Sequence, residues 1–398
     1  MRWERSKLAW VWLLIVACAS DDGSSEDDAT MKPVDVAGSG SPAGPQPAAA
    51  GAPAPTLPMQ PATGGRSSQP SAAGSPSPST PRPPAPAPSP MAGPMPQMPA
   101  PSMPTPDGVV FPGASWETKS PADAGFDGAK LEATAAGLLT SLPGRQCFAV
   151  FRNGYLVYEK YYTGDEHTLN AGFSTSKSFG ATLVGIAVTQ GLFTTEDLVS
   201  TLLPMTTVGP NVKIKHLLTM TGHLEPPGTA FDYAMGQMLL GNLANAIATK
   251  SGKSIGQFFE QHLKGPLEMQ DIDWGGGRFV SFAGNVSTTC RDGARLGHLW
   301  ANRGSWKGQK LISDQYFQEA TTAAFPMANA GYGYNFWLNV AYSRARRVGL
   351  SFAAMGANGQ YIVIIPELQL VVTSYGNDPQ GQMSGAPSLI SGVLEALL

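Results

Sequence analysis

The sequence predicts an α+β fold for residues 109–398, with one antiparallel sheet made from strands at both ends of the domain. Near its start, two runs rich in aromatic and branched side chains flank Asn153-Gly154, a dipeptide typical of a tight hairpin turn. Strand-like runs return only after residue 334, and the pattern over about 174–324 is helical. This order predicts a sheet flanked by helices, with an inserted all-helical lobe and a cleft between the two parts.

The individual elements follow from hydrophobic periodicity and from the Gly, Pro and Asn residues that interrupt it. Helices are predicted over Asp127–Ser141, Ser174–Gln190, Ile214–Met220, Met235–Ser251, Ile255–Leu263, Arg291–Arg303 and about Pro387–Leu398. Strands are predicted over both arms of the hairpin and over Tyr334–Val340, Arg347–Ala353, Gln360–Ile365 and Leu370–Tyr375. The helix that begins near Ser174 is apolar on almost all of its faces, so we expect it to be buried on every side.

The first 108 residues differ in composition from the rest of the chain. Residues 1–18 have a basic start and a short apolar run, and their end resembles the lipobox of a bacterial lipoprotein signal peptide. Acylation of Cys18 would then provide a lipid anchor in the membrane. Residues 19–108 are dominated by Pro, Ala, Gly and Ser, so we expect a disordered and partly extended linker. We therefore expect an exported lipoprotein of the cell envelope, with the outer membrane or cell surface favoured over the inner membrane.

Charge and metal-binding residues argue against two function classes. The formal net charge is −3 and no basic cluster indicates a nucleic-acid partner. The five histidines are scattered without a metal-ligand spacing, so we expect no metal and no cofactor. Besides Cys18 the chain has Cys147 and Cys290, which could pair in an oxidising envelope. Their separation gives no geometric evidence for a bond, and unpaired thiols are the favoured expectation.

The tetrapeptide Ser174-Thr175-Ser176-Lys177 places a nucleophile and a candidate base one helical turn apart. Residues three apart share a helix face, so the Lys177 amine can reach the Ser174 hydroxyl and accept its proton. The alternative is a capped helix with a solvated lysine, although a cation in the first turn opposes the helix dipole. No other lysine of the chain has a serine three positions before it. The pattern favours the Ser-Lys type of nucleophilic catalysis.

Seven segments of the chain occur in the order found in the serine β-lactamase-like family. They are AVFRNGYLVYEKYYTG, FSTSKSFGATLVGIAVTQGLF, KIKHLLTMTGHL, PPGTAFDY, LKGPLEM, CRDGARLGHLWANRGSWKGQKLIS and GANGQYIVIIPELQLVV. The family includes class C β-lactamases, DD-peptidases related to penicillin-binding proteins, esterases and 6-aminohexanoate-dimer hydrolase, and the chain looks most like the last of these. The resemblance covers the whole folded region and implies a β-lactamase/transpeptidase-like fold.

The resemblance also implies a role for three residues. Ser174 would attack an acyl carbonyl, and Lys177, kept neutral by burial, would accept the hydroxyl proton. The second family motif corresponds to Tyr233-Ala234-Met235, in which Tyr233 would shuttle a proton; the alternative is a core tyrosine. Met235 replaces a residue that is usually polar, which puts β-lactam recognition in doubt.

The third family motif corresponds to residues 354–359, which contain no cation. The resemblance implies that backbone N–H groups of this stretch form an oxyanion hole with that of Ser174. The predicted substrate-binding residues are Gly356, Ala357, Asn358 and Gly359, although an ordinary turn would also explain these glycines. A β-lactam or a D-alanyl-D-alanine peptide carries a carboxylate that the family's cation helps to hold. The missing cation therefore favours neutral or differently charged substrates.

The loop between LLTMTG and PPGT is short, which suggests an open cleft. His223 and Glu225 could contact substrate there, but solvated loop residues are the better expectation, and His216 is expected to be structural. The sequence therefore predicts a secreted serine hydrolase that cleaves a small or short oligomeric ester or amide. A cell-wall DD-peptidase or β-lactamase and an inactive envelope binding module stay open as alternatives. The oligomeric state cannot be predicted.

Overall fold

A computed structural model describes residues 108–277, 280–341, 348–377 and 386–398. The predicted signal segment, the predicted lipidation site Cys18 and the predicted linker lie outside these residues, as does the first residue of the strand predicted over Arg347–Ala353. Within the described ranges the predicted α+β class is confirmed, since helices cover both faces of one antiparallel sheet.

The central sheet has six strands in the order β2-β1-β11-β10-β9-β8, and every neighbouring pair is antiparallel. Strands from the two ends of the domain meet where β1 pairs with β11, as the sequence predicts. The strand bounds are β1 Arg145–Arg152, β2 Tyr155–Tyr161, β3 Asn170–Ala171, β4 Ile272–Trp274, β5 Val286–Thr288, β6 Ser305–Trp306, β7 Gln309–Lys310, β8 Trp337–Leu338, β9 Phe352–Gly356, β10 Gln360–Ile365 and β11 Leu370–Gly376.

Eleven α-helices are described in these ranges. They are α1 Gly128–Ser141, α2 Thr175–Thr189, α3 Val199–Leu202, α4 Ile214–Leu218, α5 Tyr233–Met238, α6 Gly241–Ser251, α7 Ile255–Phe259, α8 Cys290–Ala301, α9 Asp314–Ala320, α10 Pro326–Asn329 and α11 Ala386–Ala396. A π-helical turn over Glu260–Lys264 continues α7. Helix α2 is buried from Thr175 to Ala187, as expected for a helix that is apolar on almost all of its faces; its polar first turn is buried as well.

Two hydrophobic cores lie on opposite faces of the central sheet. Successive side chains of a strand point to opposite faces, so Phe148 and Val150 join one core while Ala149 and Phe151 join the other. Helices α1 and α11 cover the first face; α2 and α8 pack on the second, which continues into the inserted lobe. This second core fixes the position of α2, and α2 carries the tetrapeptide.

The inserted region differs from the predicted all-helical lobe. It contains the short strands β4 and β5, of which β5 pairs with both β4 and β3, and the two-residue strands β6 and β7. The helix predicted over Met235–Ser251 is also divided into α5 and α6. Asp232 caps α5 and starts it early, while a β-carbon on Gly236 would overlap Met220, so this short helix packs closely against the preceding loop.

Two of the C-terminal strands have other bounds than predicted. Asn335 and Asn339 both have positive φ values, 57° and 56°, and they confine β8 to two residues. Strand β9 extends to Gly356, beyond the predicted end at Ala353, because the turn that follows aligns Gly356 with Gln360. The corrected bound places the end of β9 against the candidate site.

Cys147 and Cys290 form a disulfide bond, so the expectation of unpaired thiols is wrong. The S–S distance is 2.08 Å and the Cα atoms are 6.3 Å apart. The two residues are separated by 143 positions, which hides their proximity in the sequence. They meet because α8 packs against β11 and β1, so that the first residue of α8 lies over β1.

Candidate active site

The candidate nucleophile lies at a sharp turn between a short strand and a long helix. Strand β3 ends at Ala171, and Phe173 has a left-handed backbone conformation (φ 47°) before α2 begins at Thr175. A residue with a β-carbon is strained in that conformation, so surrounding contacts must hold it. Ser174 occupies the N-cap position, but its side chain makes no capping hydrogen bond. Its hydroxyl is therefore left for another partner.

Ser176, the second serine of the tetrapeptide, holds this turn in place. Its hydroxyl donates to the Phe173 carbonyl at 2.7 Å and accepts from the Val286 N–H at 3.0 Å. The Gly172 N–H donates to the Val286 carbonyl at 2.7 Å, which ties the same turn to β5. Ser176 is itself fully buried, so its role is structural. Sequence reasoning missed this role because a serine in a short motif gives no sign of the backbone groups that it reaches.

Lys177 is almost completely buried, with 1% of its surface exposed. Its Nζ lies 2.9 Å from the Ser174 Oγ and donates to the Ala283 carbonyl at 2.8 Å. Removal from water disfavours the charged amine, and this burial lowers the pKa of Lys177 to about 7. A large share of these amines is neutral near pH 7, as a proton acceptor requires. The alternative of a solvated first-turn lysine is wrong.

Tyr233 begins α5 and lies beside the same pair. Asp232 caps this helix, since its carboxylate accepts from the Met235 N–H at 3.0 Å. The Lys177 Nζ is 4.9 Å from the centre of the Tyr233 ring. Burial raises the pKa of Tyr233 to about 12, and the neighbouring Ser174 side chain offsets only part of that rise. The phenol therefore keeps its proton at neutral pH and can donate it.

Aromatic rings line the side of the site next to Tyr233. Its ring centre lies 6.4 Å from Phe231, 6.2 Å from Tyr332 and 6.0 Å from Trp337. Phe231 and Trp337 are half-buried, while Tyr332 is buried. Met235 is 51% exposed on the same short helix. This side of the site therefore presents mainly aromatic and apolar surface.

The four residues predicted to bind substrate lie at the turn between β9 and β10. Gly356 ends β9, and Ala357-Asn358-Gly359 form a three-residue turn in which Asn358 and Gly359 have φ values of 60° and 77°. A β-carbon on Gly356 would overlap the carbonyl oxygen of Gly172. Glycine is required here because the two backbones touch. The structure thus brings the turn beside the segment that leads into the candidate nucleophile.

Two backbone N–H groups near this meeting point are left without an acceptor. Neither the Ser174 N–H nor the Ala357 N–H donates to another residue in the part of the chain that the structure describes. Such donors are what an oxyanion hole needs. The turn itself carries no lysine, arginine or histidine.

The three polar residues considered in and before the short loop have different surroundings. His216 is buried in α4; its Nδ1 accepts from the Lys213 N–H at 3.0 Å and burial lowers its pKa to about 4, in agreement with a structural role. Glu225 is exposed, as expected. His223 is not a solvated residue: 11% of its side chain is exposed, and its Nε2 lies 3.8 Å from the Asp232 carboxylate. The loop turns back toward the cap of α5, which buries this imidazole.

The described residues contain no group of three or more His, Cys, Asp or Glu side chains able to hold a metal ion. None of their helices combines the length and apolar character needed to cross a membrane.

The site therefore combines a hydroxyl, a buried amine and a protonated phenol, with one backbone donor at Ser174 and another on the turn that lies against the segment before it. Such a set can activate the hydroxyl, stabilise negative charge on a carbonyl oxygen and supply a proton to a leaving group. Of the predicted residues, the structure joins Ser174, Lys177 and Tyr233 directly and places Gly356–Gly359 beside them. The Ala283 carbonyl, which bonds the Lys177 amine, was not foreseen. No sequence signal reveals a backbone partner 106 positions away.

Comparison with known proteins supports this fold. A search of curated proteins gives no significant match. Among solved structures, a protein described as a 6-aminohexanoate-dimer hydrolase from Bacillus anthracis shares 18% identity over 73% of this chain and 88% of its own (TM-score 0.58). A penicillin-binding protein homologue from Caulobacter crescentus (16% identity, 68% and 97% covered, TM-score 0.56) and a family VIII carboxylesterase (16%, 68% and 97%, TM-score 0.54) are also similar. At such identities these likenesses show the β-lactamase/transpeptidase-like fold alone.

A protein-family model that spans most of the folded domain identifies the family of this chain. The beta-lactamase family model matches residues 131–390, which is more than half of the chain and spans the tetrapeptide, the helix of Tyr233 and the turn after β9. Members of this fold are serine hydrolases, and by this match the chain belongs to the beta-lactamase family.

Proposed function

We propose that this protein is an exported serine hydrolase that cleaves neutral esters or amides through an acyl-enzyme on Ser174. One observation carries the proposal: the Lys177 Nζ lies 2.9 Å from the Ser174 Oγ and is buried enough to lower its pKa to about 7. A base of this kind is active near neutral pH, whereas a solvated lysine would stay protonated.

In the acylation step, the Ser174 Oγ attacks the carbonyl carbon of the substrate and its proton moves to the Lys177 Nζ. The carbonyl π electrons move to oxygen, and the Ser174 and Ala357 N–H groups stabilise the resulting oxyanion. When the tetrahedral intermediate collapses, the bond to the leaving group breaks with its electron pair. Tyr233 gives that group a proton and regains one from Lys177. The products are an ester on Ser174 and a free alcohol or amine.

In the deacylation step, water replaces the leaving group. As the water oxygen attacks the ester carbonyl, Tyr233 takes a proton from the water while it passes its own proton to the neutral Lys177 amine. The second intermediate releases a carboxylic acid and returns the proton to the Ser174 oxygen. No metal or cofactor enters either step.

The surroundings of the site support a neutral substrate with an apolar part. The turn over Ala357–Gly359 has no cation to hold a carboxylate, and Met235 exposes an apolar side chain at the mouth of the site. Phe231 and Trp337 offer half-buried ring faces close to Tyr233. We therefore propose an ester or amide whose acyl or leaving group is apolar or aromatic.

We also propose that the protein is held at the cell envelope by lipid on Cys18. The resemblance of residues 1–18 to a lipoprotein signal supports this location, as does the Cys147–Cys290 disulfide, which suits an oxidising compartment. Metabolic labelling with a radioactive fatty acid, compared between the natural chain and Cys18→Ser, tests the anchor. Equal labelling of both chains would contradict it.

The shared Ser-Lys-Tyr arrangement supports a second candidate, a cell-wall DD-peptidase or β-lactamase. The similar structures include a penicillin-binding protein homologue. The missing cation of the third motif counts against it, since the substrates of those enzymes carry a carboxylate. An inactive binding module is disfavoured because the base, nucleophile and phenol are all in contact.

One comparison separates these candidates. The folded domain and its Ser174→Ala variant are treated with a fluorophosphonate, a labelled penicillin and nitrophenyl esters of increasing chain length. Ester turnover and phosphonate labelling that both require Ser174 are the expected result, with faster turnover for butyrate than for a succinate half-ester. A stable or hydrolysed penicillin adduct would move the assignment to the cell-wall enzymes. A folded domain that reacts with none of the three would be a binding module.

A further inference from the structure

The turn over Ala357–Gly359 is held from behind by two buried side chains. The Arg145 Nη1 donates to the Gly359 carbonyl at 2.5 Å and its Nη2 donates to the Asn358 carbonyl at 3.0 Å. The Gln360 Nε2 donates to the Ala357 carbonyl at 3.1 Å. All three carbonyl oxygens of the turn therefore face the protein interior. Neither side chain is open to solvent, since Arg145 is 2% and Gln360 0% exposed.

The same two side chains tie the turn to neighbouring strands. Arg145 begins β1, and its Nη1 also donates to the Ser374 hydroxyl at 3.2 Å. Gln360 pairs with Gly376 in both directions, since its Nε2 donates to the Gly376 carbonyl at 2.5 Å and its Oε1 accepts the Gly376 N–H at 3.0 Å. The turn is thus bound to the ends of β1 and β11, the middle of the sheet.

Two glycines make room for this arginine. A β-carbon on Gly359 or on Gly376 would overlap the Arg145 guanidinium. Gly359 also needs its positive φ of 77°, but Gly376 has no such requirement. The glycine at 376 is therefore explained by the space that the guanidinium occupies.

A guanidinium suits this position better than another side chain. Its two terminal nitrogens diverge in one rigid plane, so one residue can bind two consecutive carbonyls at once. Hydrogen bonds from a charged donor to buried carbonyls are stronger than those between neutral groups. Hydrogen bonds to all three carbonyls restrict the φ and ψ angles of the turn and so restrict the directions open to the Ala357 N–H.

We propose that Arg145, together with Gln360, is a positioning residue for the oxyanion hole. It does not touch the substrate; it fixes the backbone that presents the Ala357 N–H beside the Ser174 N–H. A small displacement of an oxyanion donor reduces the stabilisation of the transition state more than it reduces the binding of the substrate. The inference rests on the proposed function, because it concerns the same reaction.

The test measures kcat and KM for p-nitrophenyl butyrate in Arg145→Lys, with Arg295→Lys as a matched control. Arg295 is also buried and binds backbone carbonyls with both terminal nitrogens, but those carbonyls belong to Gly113, Ala114 and Leu267. Both variants keep the charge and lose the fork. We expect kcat of Arg145→Lys to fall roughly 10- to 100-fold with KM within about 3-fold, since a donor misplaced by about 1 Å can cost this much. Arg295→Lys should keep its kcat per folded molecule.

A second variant leaves the arginine in place. In Gly376→Ala the added methyl group displaces the guanidinium, and we expect the same selective loss of kcat. The affinity for phenylboronic acid, whose adduct with Ser174 puts an oxygen in the hole, should fall with kcat/KM in both variants. Folding is checked by thermal melting, and active sites are counted with a fluorophosphonate.

The outcomes separate this inference from the proposed function. A natural protein that neither labels with fluorophosphonate nor cleaves the ester overturns both. Another outcome is a natural protein that labels with fluorophosphonate and cleaves the ester, while the folded Arg145→Lys and Gly376→Ala variants keep its kcat and boronate affinity. That result overturns only the positioning role. A loss of kcat equal to that of Arg295→Lys would make Arg145 a purely structural residue.

Discussion

Two buried cations, Lys177 on α2 and Arg295 on α8, show how equal burial leads to opposite chemistry. Each is 1% exposed. Lys177 meets a hydroxyl, one carbonyl and the face of a phenol ring, all of them neutral. Arg295 binds three carbonyls and also the Asp292 carboxylate, with Nε 3.0 Å from Oδ1.

The two side chains differ in how far hydrogen bonds and charge partners replace the water that they lose on burial. Burial lowers the pKa of both groups, but a guanidinium starts so high, and is so well paired with Asp292, that it stays charged. Within the described ranges no carboxylate offsets the desolvation of the Lys177 amine, and its pKa of about 7 follows. Arg295 therefore stays a charged cross-link between α8 and the segment before α1, while Lys177 is a base that lies beside the nucleophile.

Replacing Lys177 should have the largest effect on catalysis. In Lys177→Met the apolar volume is kept and the base is lost, so we expect kcat for nitrophenyl esters to fall about 10³- to 10⁴-fold. Stability should not fall, because the variant removes an uncompensated amine from the interior. Steady-state kinetics and chemical denaturation measure the two effects. A Lys177→Met protein with full activity would refute the base assignment.

Replacing Arg295 should lower the stability of the protein and leave catalysis unchanged. Arg295→Met leaves Asp292 buried without its partner and three carbonyls without donors, which costs about 3–5 kcal/mol of unfolding free energy. We expect kcat per folded molecule to be unchanged, since none of these groups borders the candidate site. Urea denaturation together with active-site counting checks both statements. If kcat falls in step with Lys177→Met, the separation between the two cations is wrong.

The pH dependence of activity reports on Lys177 alone. The base works only when neutral, so kcat/KM should fall about tenfold per pH unit below a pKa of about 7. Tyr233 has a pKa of about 12 and stays protonated throughout this range. A pH profile of ester hydrolysis with an acid limb near pH 4 to 5 would instead point to a carboxylate base.

Much of this contrast could be predicted from the sequence. The i, i+3 spacing of Ser174 and Lys177 at the start of an apolar helix implied a buried pair, and the order of family motifs placed Tyr233 beside them. Local patterns carry such information because helix geometry relates spacing to proximity. The same holds for the hairpin at Asn153-Gly154, which joins β1 and β2 as predicted.

The remaining parts depend on contacts that local patterns do not encode. Three contacts join segments that are distant in the sequence. They are the Cys147–Cys290 disulfide, the hydrogen bond from Lys177 to the Ala283 carbonyl and the hydrogen bonds from Arg145 to the turn after β9. The bounds of β8 and β9 are set by asparagines and glycines with positive φ, whose conformation is decided by tertiary packing. A single sequence shows the residue types but not which distant backbone they will meet.

The smallest expected effect is a pH-dependent difference in stability between the natural protein and Lys177→Met. The pKa of Lys177 falls from 10.5 in the unfolded chain to about 7 in the folded one. Between these values the unfolded chain binds one proton more, so the stability of the natural protein rises with pH relative to the variant. From about pH 7 to about pH 8.5 the advantage of the variant should shrink by about 2 kcal/mol, since one proton contributes about 1.4 kcal/mol per unit. Paired urea titrations at the two pH values measure the change. Arg295→Met is the control: it keeps Lys177, so its unfolding free energy should change with pH as that of the natural protein does. A constant difference would mean that Lys177 remains charged in the folded protein over this pH range.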